Sequence, residues 1–241
     1  MESGLYVALS AQLALQQRLD TVANNVANSA TPGYRAEHVD FDTVLSEKGS
    51  ESVAFVSDGT STFSPQPGAA KRTGNPLDAA IHGQGFFAIQ TPGGTVYTRD
   101  GRMQISATGE LQSTTGHPIL DVGGAPIRVN ANLGPIEITR GGKITQNGNA
   151  VASLGLFSLP KEAELTRYGT SGFTSTVPGE PVVDFTSNGV VQGYVEGSNV
   201  NPVSEMTRLI AISRTFEAIS ASIDQRDGTF REAIRVLSGG N

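Results

Sequence analysis

Residues 202–237, PVSEMTRLIAISRTFEAISASIDQRDGTFREAIRVL, carry the clearest periodicity in the sequence. An apolar side chain recurs at every seventh position: Leu209, Phe216, Ile223, Phe230 and Leu237. Such a repeat lies on one face of an α-helix. Asn201 and Pro202 are typical of a helix start, since Asn can cap the first turn and Pro lacks only an N–H that this turn leaves unpaired. The pattern predicts an amphipathic helix about 54 Å long.

The N-terminal segment predicts a second amphipathic helix, from Ser3 to about Asn28. Its apolar residues follow a heptad that only Gln12 interrupts: Leu5, Leu19 and Val26 at one position, and Ala8, Leu15 and Val22 at the other. Pro32 ends this helix, because proline cannot continue the helical hydrogen-bond ladder and disfavours helical backbone at the preceding residue. We therefore expect an α+β protein whose two long terminal helices form a coiled-coil-like domain.

The residues between the helices change in composition at about residue 75. Residues 35–74 are dense in Ser, Thr, Gly and Pro, which predicts an extended linker with little regular structure. From residue 75 to 195, β-prone runs such as FFAIQ and VVQGYV alternate with turn signals, which predicts a central all-β domain. The predicted divisions are residues 1–34 (N-terminal helix), 35–74 (linker), 75–195 (β-domain) and 196–241 (C-terminal helix).

The composition argues against several classes of protein. The 241 residues contain no cysteine, so disulfides, thiolate chemistry and cysteine-bound metals are excluded. A formal net charge of −6 argues against a surface for nucleic acid or anionic membrane. There is no apolar run of about 18 residues, and therefore no predicted membrane helix. The N-terminus also lacks the basic start and continuous apolar core of a secretory signal peptide, so composition alone predicts a cytoplasmic protein.

The sequence offers no convincing catalytic or cofactor site. The three histidines occur in different segments, without the paired spacing of metal ligands: His38, His82 and His117. The stretch 83–88, GQGFFA, resembles a dinucleotide fingerprint, but a β-prone run follows it instead of the required helix. Asp40 and Asp42 fall in the predicted linker and have no rigid frame for acid–base work. We predict no enzyme activity, no cofactor and no metal.

The terminal helices admit two interpretations, since they could pair with each other or cap the β-domain, or they could pack against other subunits. Between residues 3 and 34 only Arg18 and Asp20 are charged, so this helix lacks the charged face of a solvated helix. Burial of each heptad residue contributes about 1.5–3 kcal/mol, whereas ordering the backbone costs about 1–2 kcal/mol per residue. We expect both ends to be disordered in the free monomer and to fold on polymerisation. The predicted assembly interface comprises Leu5, Leu15, Leu19, Val22, Val26, Leu209, Phe216, Ile223, Phe230 and Leu237.

Four motifs, in order along the chain, resemble those of the flagellar basal-body rod and hook proteins. The first is VANNVAN with TPGYR after it, the second NPLDAAI with GQGFF, the third YTRDG, and the fourth EGSNVNPV. The corresponding positions are Asn24, Asn25, Asn28, Thr31, Gly33, Tyr34, Asn75, Leu77, Asp78, Gly85, Phe86, Phe87, Tyr97, Thr98, Arg99, Gly101, Glu196, Ser198, Asn199, Val200 and Asn201. Val26 departs from the usual leucine, and residues 140–190 resemble the family least.

This resemblance implies a structural subunit of the rod that polymerises through its terminal helices and transmits motor torque. It further implies export through the flagellar type III apparatus, without a cleaved signal peptide, to the basal body in the periplasm. The implied partners are other rod proteins and copies of the same chain, with neither nucleic acid nor membrane insertion. Length, the short linker and the form of the fourth motif favour the proximal section of the rod, with the distal section as the alternative.

Two other classes remain open from the residues alone. One is an extracellular adhesin-like β protein with oligomerising helices, whose ends would pack as a simple trimer. The other is a secreted carbohydrate-active enzyme, which would need two convergent carboxylates in a cleft of the β-domain.

Overall fold

The computed structural model describes residues 2–46, 53–57, 59–130 and 132–239. Within these residues, helix α1 (Glu2–Ala27) precedes a long β-rich region and helix α2 (Pro202–Leu237) follows it. The predicted α+β class with a helix at each end is therefore confirmed. Both helices begin and end close to the predicted residues. None of the described helices is long and apolar enough to cross a membrane.

The described residues of the segment predicted as an unstructured linker form five strands. They are β1 (Glu37–Asp40), β2 (Thr43–Ser46), β3 (Val53–Val56), β4 (Thr60–Phe63) and β5 (Ala70–Arg72). β1 pairs antiparallel with β4, and β2 pairs antiparallel with β3; we call these two strand pairs together the ribbon. The expectation of little regular structure was wrong here, because Thr and Val are good strand residues even where Ser and Gly surround them.

The chain divides into two compact units. The first unit contains the residues up to Ala27, the segment Glu37–Phe63 and the residues from Asn201 onward. The second contains Asn28–Ala36 and Ser64–Val200. The ribbon thus groups with the helices, and the TPGYR motif groups with the β-rich residues.

In the first unit, α1 and α2 lie antiparallel. The Gln12 side-chain amide donates to the Ser220 hydroxyl over 3.3 Å, and the Asn25 amide donates to the Glu205 carboxylate over 3.3 Å. The end of α1 therefore lies beside the start of α2, and the two helices run in opposite directions. Because Gln12 lies opposite Ser220, the start of α1 at Glu2 lies opposite about residue 230. The last turns of α2, Phe230–Leu237, extend past α1, and we call them the overhang.

In the second unit, the main sheet has six strands in the order β15-β16-β8-β7-β14-β17. These are β7 (Phe86–Thr91), β8 (Gly94–Thr98), β14 (Leu156–Ser158), β15 (Leu165–Tyr168), β16 (Gly172–Ser175) and β17 (Glu180–Pro181). A three-stranded sheet has the order β11-β12-β13: β11 (Ile136–Ile138), β12 (Lys143–Gln146) and β13 (Asn149–Ser153).

Shorter antiparallel pairs complete this unit. β9 (Met103–Ile105) pairs with β10 (Leu111–Ser113), β6 (Ala79–His82) with β18 (Gly189–Gln192), and β5 with β19 (Tyr194–Glu196). The main core cluster is largely aliphatic and includes Phe87, Ile89, Val96, Leu111, Ile119, Ile144, Leu154 and Leu156. The predicted β-rich region between the helices is confirmed.

Gly101 provides a test of the close packing in the second unit. A Cβ atom at this position would overlap the carbonyl oxygen of Ala79, whose own N–H donates to the Gly101 carbonyl over 2.9 Å. Gly101→Ala should lower the free energy of unfolding by about 1–3 kcal/mol, as overpacking does. Gly141→Ala is the matched control, because its Cβ would meet no atom within 4 Å, and its effect should stay within about 0.5 kcal/mol. Equal urea-denaturation midpoints for both variants would contradict this packing.

Candidate functional site

Residues of three of the four motifs meet at the carboxylate of Glu196, at the end of β19. One carboxylate oxygen lies 2.8 Å from the Arg35 guanidinium and accepts the backbone N–H of Gly68 over 3.1 Å. The other oxygen accepts from Arg99 over 2.9 Å. The Glu196 side chain is 2% exposed, and each arginine side chain is 4% exposed. We call this cluster the motif junction: Arg35, Gly68, Arg99 and Glu196.

The motif junction places two cations against one anion out of contact with water. Burial lowers the pKa of Arg35 to about 10, against the opposing attraction of Glu196, and burial also lowers the pKa of Arg99. A pKa of about 10 still leaves Arg35 charged at neutral pH. Both guanidinium groups also donate to backbone carbonyl oxygens: Arg35 to that of Pro65 over 3.3 Å, and Arg99 to that of Gly83 over 2.9 Å. The Nε atom of each arginine is buried and has no hydrogen-bond partner.

The TPGYR and EGSN motifs also join through their backbones. The Gly33 N–H donates to the Glu196 carbonyl over 2.8 Å, and the Asn199 N–H donates to the Tyr34 carbonyl over 3.3 Å. The Asn199 side chain accepts from Ala36 N–H over 2.7 Å and donates to the Gln66 carbonyl over 2.8 Å. These residues align three chain segments side by side.

Tyr34 and Gly33 show why the first motif has these residue types. The Tyr34 ring is 1% exposed, and the Arg167 guanidinium lies 4.3 Å from its centre. Gly33 has a φ of +69°, which disfavours a side chain, and a Cβ there would overlap the backbone nitrogen of Asp100. Thr31 donates its hydroxyl to the Asn28 side chain over 3.0 Å. The motif is therefore a close-packed turn.

The second and third motifs shape the entry of the chain into the sheets. The Asn75 side chain donates to the Asp78 carboxylate over 3.0 Å and accepts the Leu77 N–H over 3.2 Å. Thr98 donates its hydroxyl to the Ser171 carbonyl over 3.0 Å. Tyr97 accepts the Gly179 N–H over 2.7 Å. The residues of GQGFF have packing roles as well. Phe87 is in the core, and the Phe86 ring meets the Phe173 ring edge-on. A Cβ atom at Gly85 would lie 2.9 Å from the Leu156 side chain.

In the first unit, Asn25 joins the end of α1 to β1 and α2. Its side chain is fully buried and both donates to and accepts from the Glu37 backbone, over 2.8 and 3.0 Å. It also donates to Glu205, which is 5% exposed and accepts from Arg208 over 2.7 Å. Asn24, by contrast, is exposed.

The fourth motif continues into the start of α2. Asn201 caps the helix, accepting from the backbone N–H groups of Val203 and Ser204 over 3.1 and 3.2 Å. Within the second unit, the Ser198 hydroxyl accepts the Val200 N–H over 3.2 Å, and Val200 is buried.

The predicted assembly residues differ in burial along the helices. Val22 is buried, whereas a larger group is half-buried: Leu15, Leu19, Val26, Leu209, Phe216 and Ile223. Phe230 and Leu237, both in the overhang, are 40% and 86% exposed. The side chain of Leu5 lies outside the described residues. The helices thus pair over part of their length, and the prediction that they form a coiled-coil-like domain was wrong, because most of the heptad residues are only half-buried or exposed.

The structure allows two of the alternative kinds of site to be examined, a metal site and a glycosidase-like carboxylate pair. Within it, no three His, Asp or Glu side chains are grouped to hold a metal ion. A cavity of about 160 Å³ in the second unit is lined by one carboxylate, that of Asp100, which Arg102 engages with two donors over 2.9 and 2.6 Å. The two convergent carboxylates that a glycosidase needs are not present in this cavity.

Arg35, Gly68 and Glu205 were not among the predicted site residues, although all three hold motif residues in place. The signal for Arg35 was its position directly after Tyr34 in a segment with few charges. Glu205 lies in the first turn of a predicted helix, where an acid is ordinary. Gly68 carries no distinguishing signal in the sequence.

Three segments of the chain match flagellar protein families. Residues 5–35 match "Flagella basal body rod protein", residues 80–146 match "Flagellar hook protein FlgE/F/G D1 domain", and residues 191–236 match "Flagellar basal body rod FlgEFG protein C-terminal". Together they contain most of the motif positions. Residues 36–79 and 147–190 lie outside these matches.

Whole-chain comparisons agree with these matches. The chain is 48% identical to the flagellar basal-body rod protein FlgF of Mesorhizobium japonicum over 98% of both chains. It is 45% identical to FlgF of Rhizobium meliloti over 99% of both chains. It is 33% identical to the rod protein FlgG of Agrobacterium fabrum, over 92% of this chain and 95% of that relative.

Glu196→Gln tests the motif junction. It leaves two buried guanidinium groups without a carboxylate, so the free energy of unfolding should fall by about 3–5 kcal/mol. Glu110→Gln is the matched control, because Glu110 pairs with Arg128 over 3.1 Å at the surface, where that arginine is 74% exposed. The control substitution should lower the free energy of unfolding by at most about 1 kcal/mol. If chemical denaturation gave similar decreases in the free energy of unfolding for both variants, the buried cluster would stabilise the fold no more than a surface ion pair does.

Proposed function

Because the chain belongs to the family of flagellar basal-body rod proteins, we propose that it polymerises through its terminal helices and transmits motor torque along the rod. It is a structural subunit of the bacterial flagellar basal-body rod, and relatives that are 48% and 45% identical are named FlgF, the proximal rod protein. The proposal includes the surfaces through which the chain assembles, its partner subunits and its location in the cell.

The exposure of the heptad residues of α2 carries the proposal. The apolar repeat continues without interruption to Leu237, yet α1 covers it only in part. Contiguous exposed apolar surface of this kind is typical of interaction sites. Heptad residues of neighbouring subunits would complete the burial by coiled-coil-like packing.

A second apolar stripe, on another side of α1, supports packing against several neighbours. Tyr6, Leu9 and Leu13 are spaced as one helix face and are 57%, 47% and 64% exposed. They lie away from the heptad residues, which share a different face of the same helix. A helix with apolar residues on two sides is better suited to the wall of a polymer than to the surface of a monomer.

The same exposure supports ordering of the terminal helices on assembly. An isolated helix gains little stability unless packing buries its apolar face. Because Leu209, Phe216 and Ile223 are only half-buried, they contribute only part of the hydrophobic free energy that full burial would give. Ordering the helix backbone nevertheless costs its full conformational entropy. We propose that both helices are disordered in the free chain and fold when neighbouring subunits cover them.

The proposed setting follows from the family. The helices would form an inner tube and the β-rich unit an outer layer, in contact with other rod subunits and further copies of this chain. The subunit would reach the periplasm through the flagellar type III export apparatus. The absence of cysteine from its 241 residues suits passage of an unfolded chain, since no disulfide can form on the way.

Cross-linking in isolated basal bodies tests the assembly surface and the position in the rod. Since the chain has no cysteine, each substitution Leu15→Cys or Leu209→Cys introduces a unique thiol. Both should cross-link to proximal rod subunits or to copies of this chain. Val183→Cys, 87% exposed in the second unit, is the control for any accessible thiol and should not give the same products. Capture of distal rod subunits alone would favour the distal position, and capture of hook subunits alone would contradict the proximal assignment.

A further inference from the structure

The overhang of α2 has the form of a segment that binds in a groove. Phe230, Ala233, Ile234 and Leu237 follow the spacing i, i+3, i+4, i+7 and share one face. Phe230, Ile234 and Leu237 are 40%, 65% and 86% exposed. Helices that dock into apolar grooves use anchors at this spacing.

A groove of suitable chemistry lies in the same unit, between α1, α2 and β1. It has a volume of about 360 Å³ and an apolar floor made by Val22, Val39 and Ile212. Its rim is charged and includes Glu37, Asp40 and Arg208. We call it the acidic groove. An apolar floor inside a polar rim is the usual anatomy of a protein-binding surface.

The charges of the overhang and the acidic groove are complementary. The lining of the groove contains three carboxylates and two guanidinium groups: Glu37, Asp40 and Glu205, with Arg18 and Arg208. The overhang contains two arginines and one carboxylate: Arg231, Arg235 and Glu232. The groove is thus net negative and the overhang net positive, a match that favours correct orientation on encounter.

The overhang cannot occupy the groove of its own chain. Eighteen residues of continuous helix separate Ile212 in the groove from Phe230 at the start of the overhang. At 1.5 Å per residue this distance is about 27 Å along the helix axis. An overhang bound in this groove must therefore come from another molecule.

We propose that the overhang of one copy binds in the acidic groove of a second copy, as a head-to-tail contact. This inference rests on the proposed polymerisation and names the surfaces that it uses. The two surfaces lie toward opposite ends of one antiparallel helix pair, so each added copy offers a new groove or a new overhang. A heterologous contact of this kind repeats along an open helical assembly instead of closing as a dimer.

Disulfide trapping between two single-cysteine variants of the full chain tests this contact. Leu237→Cys supplies a thiol on the anchor face, and Ala211→Cys supplies one in the exposed lining of the groove. Mixed at concentrations where the protein polymerises, the two variants should give a disulfide-linked heterodimer. Val236→Cys is the matched control for the overhang, because Val236 is apolar and 69% exposed but points about 100° away from Leu237. The Leu237 pair should give at least about tenfold more heterodimer than the Val236 pair, a preference of about 1.4 kcal/mol.

Three results would overturn the inference. They are equal yields from the two pairs, Leu237→Cys linking only to itself, and Ala211→Cys linking in basal bodies only to a different rod subunit. Electron microscopy of the same samples separates this inference from the proposed function. Polymers without the Leu237–Ala211 link would refute the head-to-tail contact and leave polymerisation intact, whereas the link without polymers would support the contact and refute the larger assembly.

Discussion

The second unit depends on the burial of one carboxylate between two guanidinium groups. Glu196 receives Arg35, Arg99 and the Gly68 N–H, so segments far apart in the sequence are fixed at one point. Removal of any partner would leave a charge in surroundings without water, which makes the arrangement specific. The family motifs are accordingly explained by packing and charge pairing.

The first unit is built on a different principle. Its buried polar contacts are concentrated near Asn25 and Glu205, where α1, β1 and α2 meet. Away from that point the helices keep large apolar side chains in solvent, notably Leu13, Ile210 and Leu237 at 64%, 55% and 86% exposure. A rigid β-rich unit and an incompletely buried helical unit suit a subunit that reaches its final structure only among its neighbours.

Local patterns predicted much of this fold, and long-range contacts account for the rest. The heptad of α2 and the cap at Asn201 predicted that helix almost to the residue, because both signals act within a few positions. The strand pairs β1–β4 and β2–β3 were missed, since such short strands are stabilised by partners up to 26 residues away, as in the pair Glu37–Phe63. The motif junction could not be predicted from the sequence either, because no spacing rule links Arg35 to Glu196 across 161 residues.

Amide hydrogen exchange on the free chain and on assembled rods tests the central claim most directly, namely that the β-rich unit is complete in one chain and the terminal helices are completed by neighbours. Amides of the second unit, such as those of Phe87, Tyr97 and Leu156, should be protected in both states. Amides of α1 and α2 should exchange rapidly in the free chain and become protected in the rod. Equal protection of both helices in the free monomer would contradict the claim.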